Sequence, residues 1–216
     1  MTNKFVIINR AIPGSGKSTI TRKLTEWILG HAFSLRVHST DNFFMEGIRY
    51  NFDITKLGTY HKENLDKFRE SLDEAIDFVV CDNTNLAPWE TKPYTDLARK
   101  YGYKIVLLNF FPRELIKHIE SQKISESRPD AHQVPDKQME LFFETFYEYN
   151  SLLGKDSTLD PSKHRNYKWD FVKNQKMDLG PLKYKFDIDT CINIQPNDYH
   201  ELKEDIFPLI NKIIEA

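Results

Sequence analysis

The chain of 216 residues has a formal charge of −2 and 40% hydrophobic residues, enough for one compact domain with a sizeable core. That balance, with a pI near 6.4, argues against bulk coating of nucleic acid but leaves room for a local basic groove. Two distant cysteines, Cys81 and Cys191, suggest no disulfide framework. No stretch approaches the ~18 apolar residues of a membrane span, and Phe5–Ile8 is too short for a signal-peptide core, so a cytoplasmic location away from membranes is expected.

Strands and helices alternate along the chain, which predicts a doubly wound, mostly parallel α/β sheet with helices on both faces. Phe5–Ile8 reads as the first strand and Lys17 to Trp27 as the first helix. Leu35–Ser39 reads as a short second strand ending at Thr40-Asp41. Leu65, Phe68, Leu72 and Ile76 recur at helical spacing and predict a helix from about His61 to Ile76. Phe78–Cys81 is a near-continuous apolar run, as a parallel strand covered on both faces requires.

Trp89 to Lys100 reads as a helix closed by Gly102, Tyr103 to Phe110 as a strand, and Glu114 to Gln122 as a helix. A polar, proline-containing lid is expected at about 123–136, leading into a helix from Asp136 to Leu152. Residues 154–187 show no clear period and are expected to form an irregular surface insertion or a functional flap. A closing strand, Thr190 to Ile194, and one helix, Asp198 to Ile214, complete a single domain over 1–216.

Between the first strand and helix stands Ala11-Ile12-Pro13-Gly14-Ser15-Gly16-Lys17-Ser18-Thr19. A glycine-rich turn between a strand and a helix can wrap a polyphosphate with its backbone N–H groups, aided by the positive end of the helix dipole. Pro13 through Thr19 are therefore the candidate cradle for a nucleoside triphosphate such as ATP. Lys17 is expected to reach the β- and γ-phosphates, and the Ser18 hydroxyl to ligate Mg²⁺. Ala11 replaces the glycine that usually opens this pattern, at a place that needs a small side chain.

Ligands of doubly wound sheets sit beyond the carboxyl ends of the strands, which singles out three further groups. Asp41 is a candidate general base, with a turn or helix cap as the alternative. Asp82 follows an apolar strand as a Walker B carboxylate does, so Ser18 and Asp82 are the candidate Mg²⁺ ligands. Asn83, Thr84 and Asn85 supply neutral groups toward substrate, or form an Asx-turn cluster. Arg128 is the candidate cation that closes with the lid, and Lys123 and His132 are weaker candidates.

His61 is a candidate on the substrate side, although a capping or core-edge role is simpler for both His61 and Asn64. Residues 155–185 hold eight cations against four aspartates, for which a solvated loop is the simpler account. The aromatic residues of Phe142–Tyr149 read as core rather than as a base-stacking surface. The seven histidines show no metal-ligand spacing.

Arg10–Thr19, Ser39-Thr40-Asp41, Asp82–Asn85 and Trp89–Tyr94 together resemble the polynucleotide-kinase-like P-loop kinases, in particular a bacterial branch of predicted kinases labelled AAA-family ATPases. His61–Asn64 and His132–Pro135 fit that branch too, and the resemblance spans roughly residues 4–152. It implies a P-loop kinase core with a helical lid that moves the ATP γ-phosphate to a 5′-hydroxyl, with a nucleic-acid 5′ end as the partner. It further implies Asp41 as general base, with Lys17 and Ser18 at phosphate and magnesium. Arg128 falls one place from the family's lid arginine. Where the phage member has an arginine three residues after its catalytic aspartate, this chain has Phe44. A small-molecule kinase and a nucleotide-gated switch are the alternative expectations.

Overall fold

Every residue of β1 (Phe5–Arg10) is buried, because this strand lies at the centre of a five-stranded parallel sheet ordered β2-β5-β1-β6-β9. Its neighbours are β5 (Phe78–Cys81) and β6 (Lys104–Phe110), with β2 (Leu35–His38) and β9 (Thr190–Ile194) at the edges. The computed structural model describes residues 4–125, 134–153, 160–170, 173 and 175–216. Alternation along β1 divides the core: Phe5 and Ile7 face one layer, Val6 and Ile8 the other. The first layer is closed by α1 (Lys17–Gly30) through Ile20, Leu24 and Ile28, and by α7 (Phe207–Ile214) through Leu209, Ile210 and Ile213. The second is closed by Phe68 and Leu72 of α2 (Ile54–Asp73) and by Tyr94 and Ala98 of α3 (Pro88–Lys100). Apolar runs without alternation are thus explained by cover on both faces.

The chain first moves from β1 outward to β2 and returns through β5, then crosses to β6 and β9 on the opposite side. The crevice at this reversal opens at the carboxyl end of β1. Next to it, α5 (Asp136–Asn150), which follows α4 (Leu115–Ser125), packs Met139 and Phe146 against Ile12 and Leu86. Arg10, the last residue of β1 and fully buried, fastens α5 to the sheet. Its guanidinium donates to Leu86 O (3.1 Å), Asn109 Oδ1 (2.9 Å) and Phe146 O (2.7 Å), and lies 4.2 Å from the centre of the Phe146 ring. Burial lowers its pKa to about 9, still cationic at neutral pH.

Several elements differ from expectation. The helix predicted from His61 begins at Ile54, where Asp53 caps it by accepting the Thr55 N–H at 2.9 Å. Its first turns are largely exposed and contain Gly58, so they lack the apolar period that marks the rest. A short hairpin, β3 (Met45–Glu46) with β4 (Arg49–Tyr50), follows a 3₁₀ turn at Thr40–Phe44. The single closing helix is two, α6 (Asp198–Glu204) and α7. Asp205 is extended between them, and Pro208, which has no N–H, sits in the first turn of α7.

The stretch 154–187 is not irregular throughout. It holds the antiparallel hairpin β7 (Arg165–Asp170) and β8 (Gln175–Pro181), followed by Leu182 and Phe186 buried against Ala87, Tyr149 and Leu152. The hairpin's only alternation is brief, Tyr167 and Trp169 on one strand and Met177 and Leu179 on the other, set among charged residues. Among its cations, Arg165 pairs with Asp178, Lys176 with Glu144 at 3.2 Å, and Lys173 with Asp170 at 4.0 Å. Phe146 and Tyr149 are core residues as expected, while Tyr147 is 46% exposed.

His38 ends β2 buried against the Phe68 ring, sharing a hydrogen bond of 2.9 Å with Ser71 Oγ. Burial pushes its imidazole down to about 4, so the folded state keeps it neutral where the unfolded chain takes up a proton. Stability is therefore lost as pH falls from about 6.5 toward 4, by roughly 3 kcal/mol at most from this group. Urea unfolding across that range is expected to give a flatter pH dependence for His38→Gln than for the parent chain. An unchanged slope would mean that the imidazole is hydrated in the folded state.

Candidate functional site

The loop from Ala11 to Gly16 leaves the centre of the sheet and turns directly into α1. Gly14 and Gly16 take φ of 81° and 83°, the left-handed region that a Cβ opposes. Ala11 is fully buried and outside that region, so alanine is accommodated there. Its N–H donates to Thr84 O at 2.9 Å, tying the loop to the segment after β5. Gly16 is the N-cap of α1 and no side chain caps the helix, whose first N–H groups lack intrahelical partners. Ser15 Oγ is buried with no hydrogen-bond partner among the described residues. Left-handed glycines, an unpartnered hydroxyl and an uncapped helix start suit an anion.

Lys17 reaches across this loop to the end of β5. Its Nζ donates to Asp82 Oδ1 at 2.8 Å and to Asp82 O at 3.0 Å. Asp82 is 7% exposed, and its Oδ1 also accepts from Asn9 Nδ2 at 2.6 Å and from Thr21 Oγ1 at 3.4 Å. Ser18 is exposed and Thr19 half-buried at the same helix start. A hydroxyl and a carboxylate are the hard oxygen donors that Mg²⁺ prefers, and few protein ligands suffice when phosphates supply the rest. Among the described residues, no group of three or more His, Cys, Asp or Glu could hold a metal ion.

Asp82–Asn85 links this loop to the Asp41 turn. Asn83 Oδ1 accepts the Thr40 N–H at 2.9 Å, placing the turn that carries Asp41 beside the end of β5. Asp41 is half-buried, and its Oδ1 accepts the Tyr50 hydroxyl at 3.1 Å. His61 Nδ1 lies 3.0 Å from Thr40 Oγ1; burial lowers its pKa, and the Asp41 charge opposes that shift. Asn85 has φ of 50° and donates to Asn9 O at 2.8 Å, so its amide fastens the loop from within. Asn64 is buried and donates to Tyr94 Oη at 3.0 Å, the core-edge role expected of it. Arg128 and His132 lie outside the described residues, and Lys123 is in the last turn of α4.

Several residues at the site escape the sequence pattern. A Cβ on Gly14 would stand 3.3 Å from His118 Nδ1. His118 is 1% exposed, its pKa pushed down to about 4 by burial and then by Arg113. Its Nε2 accepts the Arg113 N–H at 3.0 Å, which puts the ring proton on Nδ1, beside the loop. Tyr199 of α6 lies over Gly16, where a Cβ would come within 2.3 Å of its ring. Next to these residues a cavity of about 520 Å³ is lined by Arg113, Lys117, Phe143, Tyr147, Asn197 and His200, among others. Another, of about 670 Å³, lies along β9 between Leu153, Lys185 and Cys191, and no residue of the phosphate loop lines it. Asn9 was detectable as a polar residue inside an apolar strand; Tyr50, His118 and Tyr199 carry no such mark.

A parallel sheet in this order with a glycine-rich loop after its central strand defines a P-loop kinase fold. A family model described as "AAA domain" matches residues 6–149, and the chain belongs to that family. Human NEDD4-binding protein 2 is 36% identical over 118 residues, 52% of this chain but only 6% of that much longer protein. Among solved structures, Chaetomium thermophilum Kti12 in complex with ADP-AlF3 has a TM-score of 0.58 at 14% identity, covering 97% of this chain and 98% of that one. The Pnkp1/Rnl/Hen1 RNA repair complex gives 0.57 at 14% identity, covering 80% of this chain and 54% of the other. A fungal RNA kinase gives 0.50 at 13%, covering 100% and 88%. At these identities the solved structures establish the fold alone, that of polynucleotide-kinase-like P-loop kinases.

Gly16→Ala combines a left-handed φ with a collision at Tyr199. It is expected to weaken binding of a non-hydrolysable ATP analogue by about tenfold or more in calorimetric titration. Adding Tyr199→Ala should restore only part of the loss, because the backbone cost remains. Parental affinity in the single variant would show that the loop tolerates a Cβ.

Proposed function

We propose that this chain is an ATP- and Mg²⁺-dependent phosphotransferase acting on the 5′-hydroxyl of a polynucleotide. The observation that carries it is the hydrogen bond from Thr40 N to Asn83 Oδ1, which holds the Asp41 turn against the same strand end that supplies Asp82 and meets Lys17. In this reading the loop Pro13–Thr19 holds the phosphates, and the cavity bounded by Arg113, Tyr147 and Asn197 is the place for the base. Ser18 and Asp82 would hold Mg²⁺, which when bound screens the charge on the phosphate oxygens. Lys17 exchanges Asp82 for the β- and γ-phosphates. Asp41 takes the proton of the acceptor hydroxyl as its oxygen bonds to the γ-phosphorus and ADP departs. Arg128 is proposed as the lid cation. The fungal RNA kinase and the RNA repair complex among the structural neighbours favour a nucleic-acid end as the acceptor.

Transfer of labelled γ-phosphate to 5′-hydroxyl DNA and RNA oligonucleotides is the direct test, and absence of product with all of them would overturn the acceptor. Asp41→Asn is expected to lower kcat by about a hundredfold or more while leaving ATP affinity within about twofold. A variant that transfers at the parental rate would remove Asp41 as the base.

A second reading keeps the kinase and makes the acceptor a small molecule. Phe44 favours it, being 2% exposed inside a ring cluster and presenting no cation to an acceptor phosphate, as do the paired cations of the β7–β8 hairpin. Salt separates the two: oligonucleotide affinity is expected to fall steeply between 50 and 200 mM salt, by about 0.7 log unit per log unit of salt for each phosphate contacted. A salt-independent acceptor KM would favour the small molecule.

A further inference from the structure

Asp41 is gripped from two sides. From one side, Asn83, just past β5, holds Thr40 N and His61 of α2 meets Thr40 Oγ1. From the other side the β3–β4 hairpin folds back so that the hydroxyl of Tyr50, its last strand residue, donates to Asp41 Oδ1 at 3.1 Å. The hairpin turns at Gly47 with φ of 63°, and Asn51 N donates to Phe44 O at 2.9 Å, closing the hairpin against the end of the Asp41 turn. The Phe44 ring centres a cluster with Tyr50 at 5.9 Å, Phe52 at 5.1 Å and Tyr60 at 4.9 Å. Tyr50 therefore has little freedom to swing away from the carboxylate.

We propose that Tyr50 is a positioning residue for catalysis, holding the Asp41 carboxylate in the orientation from which it receives the acceptor's proton. This rests on the proposed role of Asp41. Packing alone would be served by phenylalanine, which the chain already uses at 43, 44 and 52; at position 50 the hydroxyl is what differs. Burial, followed by the charge of Asp41 and the hydrogen bond to it, raises the phenol well above its ordinary value, so it stays a neutral donor. Donation to a carboxylate weakens it as a base. In a loose phosphoryl-transfer transition state, however, little proton transfer is needed early, and the direction in which the acceptor oxygen is held weighs more.

Tyr50→Phe keeps the ring and removes the hydroxyl. Its kcat, for transfer to a 5′-hydroxyl oligonucleotide or to water if the oligonucleotide is no acceptor, is expected to fall about tenfold. The KM for ATP should stay within about twofold. Tyr50→Phe added to Asp41→Asn should cost nothing further, because the hydroxyl acts through the carboxylate. A parental kcat in Tyr50→Phe, or a second tenfold loss in the double variant, would overturn the proposal. Asp41→Asn at the parental rate would instead sink the base assignment itself. Independently of turnover, in chain labelled with [13Cζ]tyrosine, the resonance absent from Tyr50→Phe should shift in Asp41→Asn. An unmoved signal would show that the two groups do not meet.

Discussion

The ion pair between Lys17 and Asp82 ties the phosphate loop to the sheet, and the other parts of the site are arranged around it. Both side chains are largely withdrawn from water, at 13% and 9% exposure, so each compensates the desolvation of the other. Removing one partner alone would strand a charge. Asn9 and Thr21 add hydrogen bonds to the same carboxylate oxygen, so the end of β5 is held from β1 and from α1 at once. In the proposed reaction a polyphosphate and its cation give Lys17 and Asp82 new partners. Nucleotide binding then exchanges one set of compensated charges for another and need not bury charge anew.

From Asp82 the order passes outward through short polar links. Thr84 O holds the loop at Ala11, Asn85 holds Asn9 O, and Asn83 holds the Asp41 turn at Thr40. Four consecutive residues thus connect the phosphate loop, the central strand and the candidate base. On the opposite side of β1, Arg10 holds α5 by hydrogen bonds to the Leu86 and Phe146 carbonyls and to Asn109. A buried guanidinium is costly to desolvate, and fixed acceptors and the Phe146 ring face compensate it. The helix that follows the expected lid is thereby fixed to the strand that launches the phosphate loop.

Much of the scaffold was legible because it rests on local rules. The unbroken apolar runs at Phe5–Ile8 and Phe78–Cys81 announced strands covered on both faces, and the glycine-rich turn before Lys17 required left-handed backbone. The misses have equally local causes. The early turns of α2 are largely exposed, so no apolar period betrays them, and the alternation in the β7–β8 hairpin is too short to stand out among its charges. Asn85 turns its amide to Asn9 O, a contact with no local mark because it joins residues 76 positions apart.

The sequence by itself determined the sheet's parallel character, the phosphate loop and the residue types gathered at strand ends, since each follows from burial period, backbone sterics or neighbouring residues. Only the tertiary structure decided that Asn9 and Thr21 hold Asp82, that Tyr50 meets Asp41, and that Tyr199 and His118 close on the glycines of the loop. Apart from Tyr50 and Asp41, which a hairpin brings together across nine residues, those pairings join residues far apart in the chain through single hydrogen bonds or one van der Waals contact. Linear order carries no mark of such contacts until the sheet and its helices set the distances.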